Sequence, residues 1–343
     1  MQWNLFSPAY PMRRLLIAVC LVLGPVCARD ASAQQLFPAR IDDAYGYIDA
    51  SGRVAIEPRF DVASEFDEGR APVQIGGFWG FIDERGEVVV ETMYEKVFPF
   101  SGGFARVSSR GKWFFIDADG KRLTDQTYEA NLDFSEGLAP IKRKRKGKPL
   151  WGFVAANGEE EIVPRFQSAL SFSEGLAPVE EKRQIVFVKT GSRWGYVDRE
   201  GNYAIEPQFD AAKGFSEGLG LVHVDGSYAF IDKAGAIQFT APFGQVYSFS
   251  EGFSRIYEEG LWGYLDTSGE VAIPLQFDFA NDFSEGFALV RYGNKWGYIG
   301  TDGVYVIQPR FDRAWSFEGG LARVQIDGKT GDIDKPGILI WPN

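Results

Sequence analysis

The sequence has 343 residues, 15% of them aromatic, with 40 glycines and a formal net charge of −11 at pH 7. An acidic surface repels phosphate backbones and anionic head groups, so nucleic acid is excluded as the expected partner. The aromatic and glycine content favours many short strands joined by tight turns, and runs with helical periodicity are hard to find.

The first 33 residues have the order of a secretory signal peptide. Arg13 and Arg14 give a positive start, the apolar run 15–23 follows, and a small-residue tripeptide ends at Ala33. We expect cleavage there, so that the mature chain, 34–343, is periplasmic or extracellular. Gly24 and Pro25 interrupt the apolar run too early for a spanning helix, and we expect no membrane span in the mature chain. Export by the Sec or the twin-arginine route stays open.

Both cysteines, Cys20 and Cys27, lie in this leader. The mature chain therefore has no thiol for a disulfide, a metal site or a nucleophile. Loss of the leader's three Arg and one Asp takes the net charge from −11 to about −13.

A repeat of about 34 residues fills the rest of the chain. An anchor residue opens a segment of the form aromatic-Gly-aromatic-Ile-Asp. An aromatic residue follows fifteen positions later, a Phe six further on, and a Gly three after that. The anchors are Tyr45, Trp79, Trp113, Trp151, Trp194, Tyr228, Trp262 and Trp296, with a degenerate ninth unit near Thr330.

The pattern of each unit predicts three strands followed by an irregular segment, which we call the arm. The first strand, such as 176–179, contains Pro178, which predicts an edge strand or one with its N–H side free. The signature strand, 194–198, is apolar on both faces, and its Gly195 lets an aromatic of the neighbouring unit approach. An Asp-x-x-Gly turn and a third short strand follow. The closing arm, 207–215, carries two aromatics that we expect to plug the gap between units.

The predicted fold is all-β: a tandem array of eight to nine three-stranded antiparallel meanders. One meander buries too little to be stable alone, so neighbouring copies share a core and the degenerate ends act as caps. We favour an open, curved array, because propeller repeats usually run to about 40–45 residues and number 4–8 blades. A closed, propeller-like ring is the alternative.

The motif set resembles the WG-repeat (KWG-repeat) family. The Lys-Trp-Gly form stands at 295–297, and the resemblance runs from about Ala39 to Trp341. Departures include Tyr45 and Tyr228 at the anchor, and Ala155 and Gly300 at the turn Asp. The resemblance implies a bacterial exported or surface protein of unassigned function, with no catalytic residues to carry over.

The residues that usually carry catalysis are sparse. The one histidine, His223, stands in a strand, and no serine elbow, paired-His metal motif or phosphate loop is found. The segment 117–120 lacks the further ligands of a calcium loop and reads as a turn. We therefore predict no enzyme, no cofactor and no metal. A glycosidase-like carboxylate pair is the least favoured alternative.

Two features depart from the packing columns. A glutamate recurs after Phe-Ser or Phe-Asp, and it reads either as a turn cap or as an acidic track. The members of this column are Glu68, Glu136, Glu174, Glu217, Glu251 and Glu285. Two consecutive units also carry insertions in their first hairpin, which we expect to project side by side as a binding face. The candidate partner-binding residues there are Lys142, Arg143, Lys144, Arg145, Lys146, Lys148, Lys182 and Arg183.

The predicted function is an exported repeat scaffold that binds a protein partner without catalysis. Binding of a glycan or cell-wall polysaccharide is the alternative. Exposed Trp or Tyr on one face would favour the glycan, whereas buried aromatics with bare inserted hairpins would favour the protein. The apolar run 185–188 within the second insertion is expected to extend the sheet or cover a neighbour.

Overall fold

The computed structural model describes residues 35–49, 51–185 and 188–340, without the side chains of 183–190. The predicted signal peptide, 1–33, lies outside the described residues. Within the described ranges the chain forms strands and turns and no helix, and it builds nine small antiparallel sheets. Each sheet is one blade, and the blades follow one another in chain order.

The first four blades run from β1 to β14. Blade 1 contains β1 (Leu36–Ile41), β2 (Ala44–Asp49) and β3 (Val54–Phe60). Blade 2 contains β4 (Val62–Ala63), β5 (Ala71–Ile75), β6 (Phe78–Ile82) and β7 (Val88–Tyr94). Blade 3 contains β8 (Lys96–Ser101), β9 (Phe104–Ser109) and β10 (Lys112–Ile116). Blade 4 contains β11 (Ala130–Asn131), β12 (Leu138–Arg145), β13 (Lys148–Ala155) and β14 (Glu160–Phe166).

The other five blades have four strands each. Blade 5 contains β15 (Ser168–Ala169), β16 (Ala177–Ile185), β17 (Val188–Val197) and β18 (Tyr203–Phe209). Blade 6 contains β19 (Ala211–Ser216), β20 (Leu219–Val224), β21 (Ser227–Ile231) and β22 (Ile237–Ala241). Blade 7 contains β23 (Gln245–Val246), β24 (Phe253–Glu258), β25 (Leu261–Asp266) and β26 (Val271–Phe277). Blade 8 contains β27 (Phe279–Ser284), β28 (Phe287–Tyr292), β29 (Lys295–Ile299) and β30 (Tyr305–Phe311). Blade 9 contains β31 (Arg313–Ala314), β32 (Leu321–Ile326), β33 (Lys329–Asp334) and β34 (Leu339–Ile340).

The predicted arm is itself a strand, and it begins the next blade. In the four-stranded blades it pairs with the strand that the sequence predicted to be either an edge strand or one with its N–H side free. The edge alternative was wrong, because β16 lies between β15 and β17. Pro178 fits this inner position because its carbonyl accepts the arm's hydrogen bond, from Leu170 N–H at 3.0 Å.

The turns follow the sequence closely. In the Asp-x-x-Gly turn of blade 2, Gly86 N–H donates to the Asp83 carbonyl at 2.9 Å, and the Asp83 carboxylate accepts from Arg85 N–H at 3.0 Å. Asp225 and Gly226 both have positive φ in the tight hairpin of blade 6, which the right-handed twist of paired strands favours.

The signature glycine is required by its own blade, which corrects the expected approach of a neighbouring aromatic. A Cβ on Gly195 would stand 2.5 Å from the Ile205 carbonyl oxygen and 2.7 Å from the Pro207 nitrogen. The third strand bulges at this point, since Trp194 pairs with Phe209 while Tyr196 pairs with Ile205. The bulged backbone fills the space that a side chain would need.

The arm Phe joins each blade to the one before it, as predicted. At eight successive junctions it packs on the second aromatic of the preceding signature strand, with ring centroids 4.8–5.0 Å apart. The pairs are Tyr47–Phe66, Phe81–Phe100, Phe115–Phe134, Phe153–Phe172, Tyr196–Phe215, Phe230–Phe249, Tyr264–Phe283 and Tyr298–Phe317. Where this aromatic is Tyr, its hydroxyl donates to the arm backbone, as Tyr264 does to the Asn281 carbonyl at 2.7 Å.

The two ends of the array meet, so the favoured open array was wrong and the closed ring is correct. Leu321 of blade 9 packs in one core cluster with Phe37, Ala39 and Ile48 of blade 1. The Arg323 guanidinium of blade 9 donates to the Pro38 carbonyl of blade 1. The degenerate ends therefore contact each other instead of acting as caps, and the described residues between 35 and 340 form a nine-bladed β-propeller.

Candidate interaction surface

The six basic residues of the first insertion lie on one hairpin, which we call the basic hairpin (142–148). It joins β12 to β13 and turns at Lys146 and Gly147, both of which have positive φ. Because strands alternate in direction, this hairpin lies at the opposite end of the blade from the Glu-Gly and Asp-x-x-Gly turns. Residues 144–148 are exposed.

Two carboxylates neutralise part of the basic hairpin. Arg143 pairs with Glu160 at 2.5 Å, and Lys144 lies 3.9 Å from Glu129. Arg145 donates to the Pro164 carbonyl at 3.2 Å. Lys146 and Lys148 have no ion-pair partner within the described part of the chain. Six cations against two carboxylates leave a basic tip on an acidic protein.

The second insertion lengthens the equivalent hairpin of blade 5, the next blade in the ring. Lys182 is exposed, whereas Arg183 lies in β16 and its side chain is outside the described part. Ile185 pairs with Val188, so the described ends of the apolar run extend the sheet, which is one of the two predicted alternatives, and Val186 and Phe187 lie outside the described residues. The structure thus brings the six residues of blade 4 together and carries Lys182 and Arg183 on a separate hairpin.

The glutamate column forms a chain of links between blades. This role does not fully match either of the two that the sequence suggested, a turn cap or an acidic track. Each Glu has positive φ at the turn after the arm strand, and its carboxylate accepts backbone N–H groups from the matching turn of the next blade. Glu251 accepts from Glu285 N–H at 2.7 Å and from Gly286 N–H at 2.8 Å. The repeating Glu-Gly dipeptide was visible in the sequence, but its partner one repeat away was not.

Within the described residues these glutamate links are missing at three junctions, and at the one between blades 1 and 2 blade 1 has no arm turn to supply a Glu. Gly102 takes the place of Glu between blades 3 and 4, where Ser101 still donates to the Phe134 carbonyl at 2.7 Å. Gly319 takes its place between blades 9 and 1, and Glu318 stands where six other units have Ser. The junction between blades 9 and 1, which we call the closing junction, therefore lacks both kinds of link.

The closing junction contains a cavity of about 420 Å³ that sequence reasoning missed. Its walls include Glu65, Glu318, Arg323 and Asp332 together with Phe37 and Trp315. Asp332 is 5% exposed and pairs with Arg323 at 3.4 Å. Burial raises the pKa of Glu65 to about 7, with Glu318 and Asp332 adding to the rise and Arg323 opposing it. The signal was present in the sequence, because Asp332 stands in a column where the eight other units have Tyr or Phe.

The aromatic residues are mainly packing residues. Among the described Trp and Tyr, Tyr292 at 63% and Trp315 at 47% are the exposed ones, and they lie in blades 8 and 9. His223 stands with its ring edge-on to Tyr228, and its Nδ1 lies 3.8 Å from Asp210. In the described ranges, no helix is long and apolar enough to cross a membrane.

The fold defines the class as a closed β-propeller assembled from short repeats. The model of the WG containing repeat family matches residues 45–77, 79–113, 151–182, 194–228, 262–296 and 296–329, and the chain belongs to this family. No curated protein matches the sequence.

Solved structures show likeness in fold alone. A crystal structure of a eukaryotic initiation factor has a TM-score of 0.64 at 12% identity, over 90% of this chain and 95% of that one. Apo AztD from Citrobacter koseri has a TM-score of 0.39 at 13% identity, over 88% of this chain and 91% of that one. Dihydro-heme d1 dehydrogenase NirN has a TM-score of 0.45 at 12% identity, over 88% of this chain and 71% of that one.

Proposed function

We propose that this protein is an exported, non-catalytic interaction scaffold whose basic hairpin contacts an anionic protein partner. The observation that carries the proposal is the charge of that hairpin: four of six cations are left without a carboxylate partner in the described chain, on a protein of net charge −11. Opposite charges steer association and fix the orientation of a partner. Export is supported by the signal-peptide pattern of residues 1–33.

The test is a crosslinking pull-down from cell-envelope extract. The bait is compared with a K146E/K148E double variant and with K96E/K112E, which makes the same charge change on exposed lysines of blade 3. We expect one protein to be recovered by the unaltered bait and by K96E/K112E but lost with K146E/K148E. Equal recovery by K146E/K148E would remove the basic hairpin from the contact. Recovery of no specific protein would count against the scaffold itself.

Glycan binding is a second candidate, and one observation favours it. Trp315 is 47% exposed and borders the cavity at the closing junction, beside Ser64 and Ser316. An exposed indole beside hydroxyl groups suits a sugar ring, which offers an apolar face and polar edges. Titration of soluble envelope polysaccharide against Trp315→Ala and against Tyr292→Ala tests this. Loss of binding in the first variant alone would support the glycan, and binding unchanged in both would reject this site.

The glycosidase alternative also concerns this cavity. A general acid near pH 7 needs a carboxyl with a raised pKa, and burial raises the pKa of Glu65 to about 7. Asp332 is paired with Arg323, and burial raises its pKa as well, so Glu318, which has no ion pair in the described chain, is the carboxylate left to act as the base. Release of reducing ends from envelope polysaccharide that is lost in Glu65→Gln would overturn the non-catalytic proposal.

A further inference from the structure

The closing junction lacks an element that the eight regular junctions have. Blades 2 to 9 each begin with an arm strand, whereas blade 1 begins, within the described residues, with β1, which pairs with β2 alone. At a regular junction the arm Phe packs on the second aromatic of the preceding signature strand. The signature strand of blade 9 has Asp332 at that position.

The cavity lies where that arm would lie. Its walls come from the arm segment of blade 9 at Trp315 and Ser316, the arm segment of blade 2 at Ala63 and Ser64, and β1 at Phe37 and Pro38. The cavity of about 420 Å³ is thus bordered by a strand edge that has no arm partner within the described residues. An extended peptide can add to such an edge through backbone hydrogen bonds.

In β1 a side chain makes a hydrogen bond that the arm backbone makes in other blades. In blade 2 the Pro72 carbonyl accepts from the arm's Ser64 N–H at 3.0 Å. The equivalent carbonyl in blade 1 belongs to Pro38, and it accepts from the Arg323 guanidinium. In two other blades the arginine at the same repeat position as Arg323 pairs with an Asp in the arm of the next blade. Arg106 pairs with Asp133 at 2.5 Å, and Arg255 pairs with Asp282 at 2.8 Å. At the closing junction a side chain thus occupies the position of a missing backbone donor.

The carboxylates of the cavity favour a ligand with a positive charge. Glu65 occupies the same repeat position as Asp133, which pairs with an arginine of the preceding blade. The blade before Glu65 has Pro38 at that arginine's position, and Glu65 has no ion pair in the described chain. Glu65, Glu318 and Asp332 face a single guanidinium, that of Arg323. The cavity therefore has two carboxylates in excess, with apolar walls of Phe37 and Leu321. A basic side chain on an extended backbone complements both features.

We propose that the closing junction binds an extended peptide segment of a partner protein, which adds to β1 as the fourth strand of blade 1 and places a Lys or Arg between Glu65 and Asp332. The site is independent of the basic hairpin, which belongs to blade 4 and attracts an anionic partner. Failure of one site leaves the other unaffected, and K146E/K148E keeps its affinity for the peptide.

The probe is a fluorescein-labelled peptide that copies 211–218, the arm of blade 6, with Phe215→Arg. Peptides with Phe215→Glu and with Phe215 retained are the controls. We expect the Phe215→Arg peptide to bind the purified protein at least roughly tenfold more tightly than the Phe215→Glu peptide, since charge-assisted hydrogen bonds form only with the cation. Hydrogen exchange of amides in Leu36–Ile41 slows on binding.

Protein variants separate this site from general charge effects. Asp332→Asn and Glu65→Gln each weaken binding of the Phe215→Arg peptide roughly tenfold, whereas Asp133→Asn, in the same column as Glu65, leaves it unchanged. If Asp332→Asn fails to fold, Glu65→Gln alone decides, because Glu65 makes no ion pair or hydrogen bond within the described chain that the fold would lose.

Three results would overturn the proposal. Equal affinity for the Arg and Glu peptides would mean that the carboxylates select nothing. If the amides on the side of β1 that faces away from β2 are already protected before peptide is added, a segment of this chain occupies the edge. Quenching of Trp315 by soluble polysaccharide, with no binding of any peptide, would assign the cavity to a glycan.

Discussion

The eight regular junctions and the closing junction solve the same packing problem in different ways. A regular junction buries an aromatic pair at 4.8–5.0 Å, and all of them except the one between blades 1 and 2 add a link from Ser or Glu. The closing junction has the ion pair of Asp332 and Arg323 in place of the aromatic pair. Apolar contacts there join Leu321 and Ile340 of blade 9 to Phe37, Ala39 and Ile48 of blade 1. The eight regular junctions therefore hold the ring through buried aromatic pairs, and the closing junction holds it through an ion pair and a small apolar cluster.

The largest difference between the two kinds of junction is the aromatic pair itself. We expect Phe283→Ala to lower the free energy of unfolding by about 3–5 kcal/mol, because a fully buried ring is lost and a cavity is left between blades 7 and 8. Denaturant unfolding followed by tryptophan fluorescence measures the loss. Phe78→Ala, at a side chain that is 51% exposed, is the matched control and changes stability by less than about 0.5 kcal/mol. Equal losses in both variants would contradict the role of the pair.

The sequence was sufficient to predict that the arm Phe fills the gap at the regular junctions, but not the glutamate links between the blades. The spacing of the anchor, the arm Phe and the turn Gly defines the blades, and the Phe packs where it was expected to pack. The arm was not recognised as a strand because it pairs over as few as two residues, as at Ser168 and Ala169. Its strand character depends on a partner that only the folded ring supplies.

Closure was beyond the reach of a repeat argument. An open array and a ring share the same contacts between neighbouring units, and they differ only where the two ends meet. The contacts that decide between them join residues as far apart as Pro38 and Arg323. For the candidate surface, the basic hairpin was visible as an insertion, but the pairing of Arg143 with Glu160 depends on β14 folding back beside it.

The charge of the closing junction gives the next largest effect. Burial raises the pKa of Glu65 from 4.5 to about 7, so the folded protein binds this proton more tightly than the unfolded chain does. The contribution of Glu65 to stability is therefore favourable at low pH, and it is lost as the pH rises from about 4.5 to 7. Glu65→Gln keeps the shape of the protonated group without the charge. We expect the variant to be more stable than the parent by up to about 3 kcal/mol at pH 8 and equal to it near pH 4.5.

Thermal unfolding of both proteins between pH 4.5 and pH 8 measures that difference. Glu91→Gln, at an exposed strand position of blade 2, is the control and should follow the parent at every pH. A difference between parent and Glu65→Gln that stays constant with pH would mean that the pKa of Glu65 is the same in the folded and the unfolded chain, as at an ordinary surface position.

A smaller effect comes from the glutamate links that the closing junction lacks. Glu251 accepts two backbone N–H groups of blade 8, and it is exposed, so water competes for these hydrogen bonds. Glu251→Gln retains one acceptor oxygen and should cost about 1 kcal/mol in denaturant unfolding. A cost no larger than that of Glu91→Gln would show that the links follow from ring closure without stabilising it.

The smallest effect on stability is expected at the basic hairpin, which belongs to no junction. Lys146 and Lys148 are exposed and have no carboxylate partner in the described chain, so K146E/K148E should change the free energy of unfolding by less than about 0.5 kcal/mol. The same variant should lose the anionic partner, because its hairpin then carries four cations and two added carboxylates beside Glu160 and Glu129. Stability and binding therefore separate at this hairpin. A substantial loss of stability in K146E/K148E would instead make the hairpin part of the fold, and it would weaken the inference that its charge is kept for a partner.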